Sequence, residues 1–213
     1  MAGSAGALRL AAGGLAGVLL AAAGLGLTYN TTPSLPPGVY RIRPLAAEPI
    51  RGDVVGFCLA GEPAQIALAR GYVHPQGLEP LVYGTRCASG AAVIGKPVAG
   101  LPGDTIEVTT RGVMVNGRLL HRSRVQRHDR SGRILPAAPQ GKRILRAGEF
   151  WLQSEFAQNS FDSRIVGPVP ANSILDRRVF VIGFAPLFCL TLTLLVAGAT
   201  LARRAHPISG AVP

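Results

Sequence analysis

Two long, uncharged, apolar stretches limit what this chain can fold into. The first covers residues 10–28 and the second covers residues 179–202. A helix needs roughly 20 apolar residues to cross a bilayer, so both stretches are long enough. A cleavable secretory signal is the alternative for the first stretch, which is rich in Ala and Gly, and a buried core helix is the alternative for the second. We predict an N-terminal membrane anchor over residues 1–28 and a transmembrane helix over residues 179–202.

Two spanning helices would place both termini on the same side of the membrane. The central segment, residues 29–178, would then form one domain on the opposite side from a short tail, residues 203–213. Pairs of arginines flank the second stretch at both ends. Because positive charge marks the cytoplasmic side only when it is asymmetric, the charge pattern leaves the orientation open.

Short apolar runs separated by Gly and Pro fill the central segment, and they predict a mainly β domain. Asn116-Gly117 separates two such runs and is typical of a two-residue hairpin turn. No run has the spacing of an amphipathic helix. The predicted strands are residues 39–42, 53–59, 92–98, 105–109, 113–115, 149–153 and 173–175.

The chain is strongly basic, with a net charge of +11 from 22 basic and 11 acidic residues. The segment 118–146, which we call the basic block, holds nine basic residues and one acid. It is either a solvated arginine-rich loop or a surface that meets anionic lipid headgroups or an acidic partner. It contains no aromatic residues for base stacking, so no nucleic acid partner is expected.

Three cysteines are present, of which Cys58 and Cys87 lie in the central segment. In an oxidising compartment these two could pair, and we predict that they do. Cys189 lies within the second apolar stretch and is interpreted as a small hydrophobic residue of that stretch.

Two side chains in the central segment have surroundings suited to catalytic residues. Ser34 stands among prolines just beyond the first apolar stretch, on what is either a rigid exposed turn or a proline-rich linker. Lys96, one of only two lysines, lies inside an apolar run. Burial would lower its pKa and make the amine a usable base, whereas a snorkelling lysine would keep its head in water.

A third segment gathers polar residues before a Gly-Pro turn, namely Ser160, Asp162 and Arg164 among others. It is either a turn with a local ion pair or a group of side chains that orients a catalytic residue.

Together the three segments resemble the type I signal peptidases, which are serine proteases with a Ser/Lys pair on a β-rich domain outside the cytoplasmic membrane. Ser34 precedes a Pro-containing turn after the anchor, and Lys96 precedes Val-Ala-Gly-Leu-Pro-Gly-Asp at residues 98–104. The third match is Ser-Phe-Asp-Ser-Arg at residues 160–164, followed by Gly167. The resemblance covers residues 10–170.

This resemblance implies a role for each matching residue. Ser34 would be the nucleophile and Lys96 its general base, with the Ser34 amide and the Thr32 hydroxyl forming the oxyanion hole. Ser160 would hydrogen-bond and orient Lys96. Asp162 and Arg164 would brace the site. The family needs no cofactor or metal, and none is expected here.

Two departures point to a branch of the family. The usual Lys-Arg pair is Lys96-Pro97 here, and the Gly-Asp-Asn-Arg stretch before the third motif is not evident. These features, the short chain and the insertion with Cys58 and Cys87 resemble the TraF-type peptidases of conjugative transfer, which process a pilin precursor and in some members close it into a ring. The resemblance therefore implies an exported, pilin-like precursor as the substrate. It also implies that the chain is held among the lipids of the inner membrane, with its catalytic domain on the periplasmic side.

Three other functions are weighed against this one. The first is a general signal peptidase, and the second is a noncatalytic membrane subunit of a secretion channel. The third, a Ser-His-Asp hydrolase, lacks a G-x-S-x-G motif. No Cys or His pair has the spacing of metal ligands.

Overall fold

The computed structural model describes residue 21, residues 24–77 and residues 86–183. Strands make up most of the regular structure in these ranges, together with the helices α1 (Gly61–Ala69) and α2 (Ser163–Val166). In chain order the strands are β1 (Leu27–Asn30), β2 (Gly38–Pro44), β3 (Val54–Phe57), β4 (Ile94–Gly100), β5 (Thr105–Val108), β6 (Val113–Val115), β7 (Arg118–Leu119), β8 (Gly141–Ile144), β9 (Glu149–Leu152), β10 (Val169–Pro170) and β11 (Ile174–Gly183).

The strands form two sheets in which each pair of neighbours runs antiparallel. The order in the seven-stranded sheet is β1-β2-β11-β3-β4-β9-β10, and in the four-stranded sheet it is β7-β6-β5-β8. Strand β11, the last strand among the described residues, therefore lies between β2 and β3. The mainly β fold predicted from the sequence is confirmed.

Alternating apolar side chains give each sheet its own core. Val55 belongs to the core of the larger sheet, and Ile106 and Val113 belong to that of the smaller one. Burying such a side chain contributes about 1.5–3 kcal/mol. Ala99 on β4 and Trp151 on β9 are part of the smaller core, so the smaller sheet packs at the β4–β9 end of the larger one.

The predicted hairpin at Asn116-Gly117 is confirmed as the connection between β6 and β7. Asn116 has φ 51° and Gly117 has φ 80°. A type I′ turn, whose twist matches that of paired strands, requires positive φ at both central residues. Asn-Gly is the dipeptide that adopts this conformation with the least backbone strain.

Helix α1 was not predicted. It has nine residues and buries only Ala64 and Ala67, and its N-cap Ala60 makes no side-chain capping bond. The helix packs through small side chains against the larger core, so its sequence carries neither an apolar stripe nor a capping signal.

Both predicted membrane segments are wrong at their inner boundaries. Leu27 and Thr28 are in β1, and residues 179–183 are in β11, where Val179 lies opposite Arg41 and Gly183 opposite Gly38. The backbone groups of residues 179–183 are used in the sheet, so a spanning helix cannot begin at residue 179. The apolar character that suggested a membrane here comes from strand residues such as Phe180, which packs edge-on against Tyr40.

No helix in the described part of the chain is long and apolar enough to cross a membrane. The rest of both predicted spans, residues 10–20, 22–23 and 184–202, lies outside the described residues, as does the predicted tail.

Candidate active site

Ser34 lies in the tight loop that joins β1 to β2, and the side chain of Asn30 fixes this loop. The Asn30 amide donates hydrogen bonds to the carbonyl oxygens of Thr32 and Leu35, at 2.8 and 3.1 Å. Its Oδ1 accepts from the Thr32 amide at 3.2 Å. Bonds of this kind from Asn to nearby backbone stabilise loops. Asn30 was not predicted as a site residue, although an Asn directly before Thr-Thr-Pro is a recognisable loop signal.

Two contacts from other parts of the chain also hold this loop in place. The Tyr40 hydroxyl on β2 donates to the Pro36 carbonyl at 2.8 Å. Ser154, buried just after β9, donates its hydroxyl hydrogen to the Ser34 carbonyl at 2.7 Å. Ser34 itself is 9% exposed. The loop is therefore held by β2 and by the segment after β9, whereas a proline-rich linker would lack such contacts.

Lys96 lies in β4 with its side chain 3% exposed, and its Nζ donates to Ser34 Oγ at 2.9 Å. Burial lowers the pKa of Lys96 to about 8. The nearby carboxylate of Asp162 opposes this change, whereas the positive charges of Arg164 and Arg178 add to it. The amine is therefore buried, bonded to one hydroxyl and poised to lose its proton near neutral pH, unlike a snorkelling lysine.

Two facing glycines leave room for Asp176 and Arg178 beside β3 and β4. Gly95 on β4 and Gly56 on β3 are opposite each other in the register. A Cβ on Gly56 would lie 2.4 Å from a carboxylate oxygen of Asp176, and a Cβ on Gly95 would lie 3.2 Å from Arg178 Nη1. Asp176 in turn accepts from Arg178 Nε at 3.2 Å. Neither Asp176 nor Arg178 was predicted as a site residue, because their proximity to Lys96 depends on β11 lying beside β3.

Thr32 Oγ1 is 3.0 Å from Ser34 Oγ, so the structure brings this predicted residue to the site. Its hydroxyl also donates to Asn30 Oδ1 at 2.7 Å. A threonine hydroxyl has one hydrogen to donate. The Thr32 hydroxyl must therefore rotate away from Asn30 before it can stabilise an oxyanion.

Ser160 is buried, at 6% exposed, but its Oγ has no hydrogen-bond partner in the described ranges. The predicted hydrogen bond from Ser160 to Lys96 is absent from the structure. The hydrogen bond that the Lys96 amine makes is the one to Ser34. A buried hydroxyl without a hydrogen-bond partner costs about 1–3 kcal/mol. The Ser160 hydroxyl is therefore destabilising as it stands and remains free to form a hydrogen bond.

Asp162 and Arg164 form a buried, two-pronged ion pair. Arg164 Nε lies 2.9 Å from Asp162 Oδ1 and Nη2 lies 2.7 Å from Oδ2, with the side chains 2% and 0% exposed. The guanidinium also donates to three backbone carbonyls, and Asp162 accepts from the Ser154 amide at 3.1 Å. Because Ser154 holds the Ser34 carbonyl, the pair braces the serine loop through one intervening residue.

Cys58, just after β3, is bonded to Cys87 in a disulfide with a Cα–Cα distance of 5.3 Å. The bridge spans 29 positions of sequence and encloses α1. It ties the end of β3 to the segment that leads into β4 and Lys96.

We expect removal of this bridge to lower the free energy of unfolding by about 3 kcal/mol, since a closed loop of this length restricts the unfolded chain by that amount. The measurement is denaturant unfolding of the full chain in detergent, comparing the wild type with Cys58→Ser/Cys87→Ser. A reductant should destabilise the wild type and leave the double variant unchanged. Equal midpoints for the two proteins without reductant would contradict the prediction.

No group of three or more His, Cys, Asp or Glu side chains that could hold a metal ion exists in the described ranges.

A buried lysine bonded to a serine, on a mainly β domain, is an arrangement suited to covalent acyl transfer. Residues 5–183 match the family model described as signal peptidase, peptidase S26. The chain belongs to this S26 signal peptidase family, and the resemblance stated from its three motifs is confirmed.

Among its relatives are two proteins of plasmid transfer. Conjugal transfer protein TraF of Agrobacterium tumefaciens (strain 15955) is 35% identical over 165 residues, which cover 76% of this chain and 85% of that protein. Plasmid transfer protein TraF of Escherichia coli is 35% identical over 173 residues, covering 78% and 89%. A crystal structure of a signal peptidase I from Enterococcus faecalis V583 aligns with 63% of this chain and 98% of its own, at a TM-score of 0.33 and 17% identity.

Proposed function

We propose that this protein is a membrane-bound serine endopeptidase in which Ser34 is the nucleophile and Lys96 is the general base. The observation that carries the proposal is the 2.9 Å contact between Lys96 Nζ and Ser34 Oγ. Both side chains are almost excluded from water, which favours the neutral amine that a base requires. Membership of the S26 family supports the same assignment.

In the first half of the reaction, Ser34 Oγ attacks the scissile carbonyl carbon while its proton passes to the neutral Lys96 amine. The carbonyl oxygen becomes an oxyanion, which the Ser34 amide and the rotated Thr32 hydroxyl stabilise. Lys96 then returns the proton to the leaving nitrogen as the peptide bond breaks. The product is an ester between Ser34 and the new C-terminal end of the substrate.

In the second half, Lys96 accepts a proton from the group that attacks this ester. If the attacking group is water, the product is a free carboxylate. If it is the amine at the N-terminus of the same substrate, a peptide bond forms and the product is a ring. In both cases Lys96 gives its proton back to Ser34 Oγ, so the enzyme is regenerated.

An open strand edge beside Lys96 suggests how a substrate binds. Strand β4 pairs with β9 at Val98 and Gly100, but the half of β4 before Pro97 is not paired on that side within the described ranges. An extended peptide added along this edge would make backbone hydrogen bonds next to Ser34 and Lys96. The requirement for an extended segment favours cleavage in an unfolded or exposed part of the precursor.

For the substrate we propose an exported, pilin-like precursor of a conjugative transfer system, which is either cut to a linear product or closed into a ring. The support is the relation to TraF proteins, which are named for conjugal and plasmid transfer. General removal of secretory signal peptides is the second candidate, favoured by a signal peptidase I of Leptolyngbya laminosa that is 33% identical over 84 residues.

We place the domain on the periplasmic side of the inner membrane, where a Cys58–Cys87 disulfide would persist and exported precursors emerge. The apolar residues 10–20 and 184–202 would anchor it among membrane lipids. A reporter enzyme inserted at Gly132, in an exposed turn, should be active only outside the cytoplasm. Reporter activity in the cytoplasm would exclude this topology.

The substrate and the type of product can be tested in one experiment. A pilin precursor is co-expressed with the wild-type protein or with Ser34→Ala, and its intact mass is measured. Hydrolysis removes a segment, ring closure leaves the product one water lighter than the hydrolysed form, and an unprocessed precursor keeps its mass. An unchanged mass with both proteins would reject this substrate, and equal processing with both would reject Ser34 as nucleophile.

Activity should rise with pH, with a midpoint near 8 in kcat/KM, because the neutral Lys96 amine is the active form and its pKa is lowered to about 8. Below the midpoint the rate should fall about tenfold per pH unit. The measurement is initial rates on a fluorogenic peptide from pH 6 to 10. A flat profile over that range would contradict a lysine base.

The lowered pKa of Lys96 also makes the contribution of this residue to the free energy of unfolding depend on pH. Lys96 has a pKa of about 8 when folded and 10.5 when unfolded, so between these values the unfolded chain binds more protons. The penalty for burying the ammonium is complete below pH 8 and declines as the pH rises to 10.5. Compared with Lys96→Met, the wild type should therefore gain about 3 kcal/mol over this interval, measured by denaturant unfolding at each pH.

A further inference from the structure

The basic block is fixed to the rest of the domain, which is not expected of a solvated loop. Its one acidic residue, Asp129, accepts hydrogen bonds from the Tyr72 hydroxyl and from Arg133 Nε, the latter at 2.6 Å. Arg70, just after α1, donates to the Ile134 carbonyl at 2.7 Å. The acid of the block is thus used to hold the backbone in place.

The buried Arg164 holds both ends of the middle part of the block. Its Nη1 donates to the Arg122 carbonyl at 2.7 Å, and its own carbonyl accepts from the Ala138 amide at 2.9 Å. Residues 122–138 therefore begin and end on one residue of the candidate active site. Within them, His128 and Ile134 pair as an isolated bridge.

Residues 122–138 and strand β5 line a groove of about 640 Å³. Its apolar lining includes Val108, Leu135 and Ile134, and Ile134 is 73% exposed. Arg124 and Arg127 also line it. The groove thus combines an apolar floor with two guanidinium groups.

Neither of these arginines forms an ion pair with an acid in the described ranges. Both arginines thus line the groove without an acidic partner, inside a block that carries nine basic residues and one acid. An occupant that matches this groove has carboxylates to meet the arginines and apolar side chains to cover the floor.

We propose that this groove binds an extended, acidic and partly apolar segment of a partner protein. Alternating side chains of such a segment would face the floor and the arginines in turn.

The test measures peptide binding to the full Ser34→Ala chain in detergent. The probe is a fluorescein-labelled ten-residue peptide that alternates Glu and Val, and its counterpart has Gln in place of Glu. The Glu peptide should bind at least about tenfold more tightly at low salt, with the difference shrinking as salt is added. Arg124→Gln/Arg127→Gln should weaken its binding about fivefold or more.

A matched control removes the same charge elsewhere. Arg43→Gln/Arg118→Gln changes two exposed arginines outside the groove and should alter binding by less than about twofold. Equal affinity for the two peptides, or an equal loss in the control, would overturn the proposal. The proposal would also be overturned if the protein bound phosphatidylglycerol vesicles or a single-stranded oligonucleotide through Arg124 and Arg127 but did not bind the peptide. Because the protein lacks its nucleophile, the result does not depend on peptidase activity, and a negative outcome leaves the proposed function untouched.

Discussion

Exchanging Lys96 for arginine should reduce processing of a cleavable precursor by at least about a thousandfold, to the level of Ser34→Ala. Lys96 is 3% exposed and contacts Ser34 Oγ, and its lowered pKa supplies a neutral amine. A guanidinium keeps the positive charge but does not deprotonate in this range, so it cannot accept the serine proton. The measurement is single-turnover cleavage of a fluorogenic peptide.

The controls separate chemistry from folding. Lys142→Arg makes the same exchange at the only other lysine, on the exposed edge strand β8, and should keep full activity. Lys96→Met, which removes the charge without adding bulk, should also be inactive but should unfold at higher denaturant than the wild type below pH 8. Substantial processing by Lys96→Arg would exclude Lys96 as the base.

Replacing Arg164 with glutamine should lower the free energy of unfolding by about 3–5 kcal/mol, because it leaves the carboxylate of Asp162 buried without its partner. The Arg164 side chain is 2% exposed, and its guanidinium also holds the carbonyls of Arg122, Ala157 and Gln158. Denaturant unfolding of the full chain measures the loss.

Arg143→Gln is the matched control, since it breaks the exposed pair with Glu149 and should cost no more than about 1 kcal/mol. A second readout is specific to the site. The Arg164 charge lowers the pKa of Lys96 and the Asp162 charge raises it, so losing the arginine alone should move the rise in activity to higher pH. If Arg164→Gln lost no more stability than the control and left the pH profile of activity unchanged, Arg164 would have no role in the candidate active site.

Local signals were enough to predict much of this structure from sequence. Alternating apolar residues identified β5 and β6, and Asn-Gly identified the turn after β6. The contact between Ser34 and Lys96 was expected through the family resemblance, because 62 positions separate them and no local pattern shows that they meet.

The features that the sequence did not reveal depend on tertiary contacts. Helix α1 is hidden because only two alanines are buried along it. Strand β11 was mistaken in part for a membrane helix, because residues 179–183 are as apolar as the stretch that follows. Ser154 and Arg178 act on the site through partners far away in the sequence, so neither carries a local signal.

The position of β11 in the sheet determines when Ser34 and Lys96 can come together during synthesis. Ser34 precedes β2 and Lys96 is in β4, but the sheet places β11 between β2 and β3. Until residue 183 has been synthesised, the two halves of the sheet have no strand to join them. The contact between Ser34 and Lys96 therefore forms only after β11 is in place. Under the proposed function, a chain truncated before residue 174 would be inert.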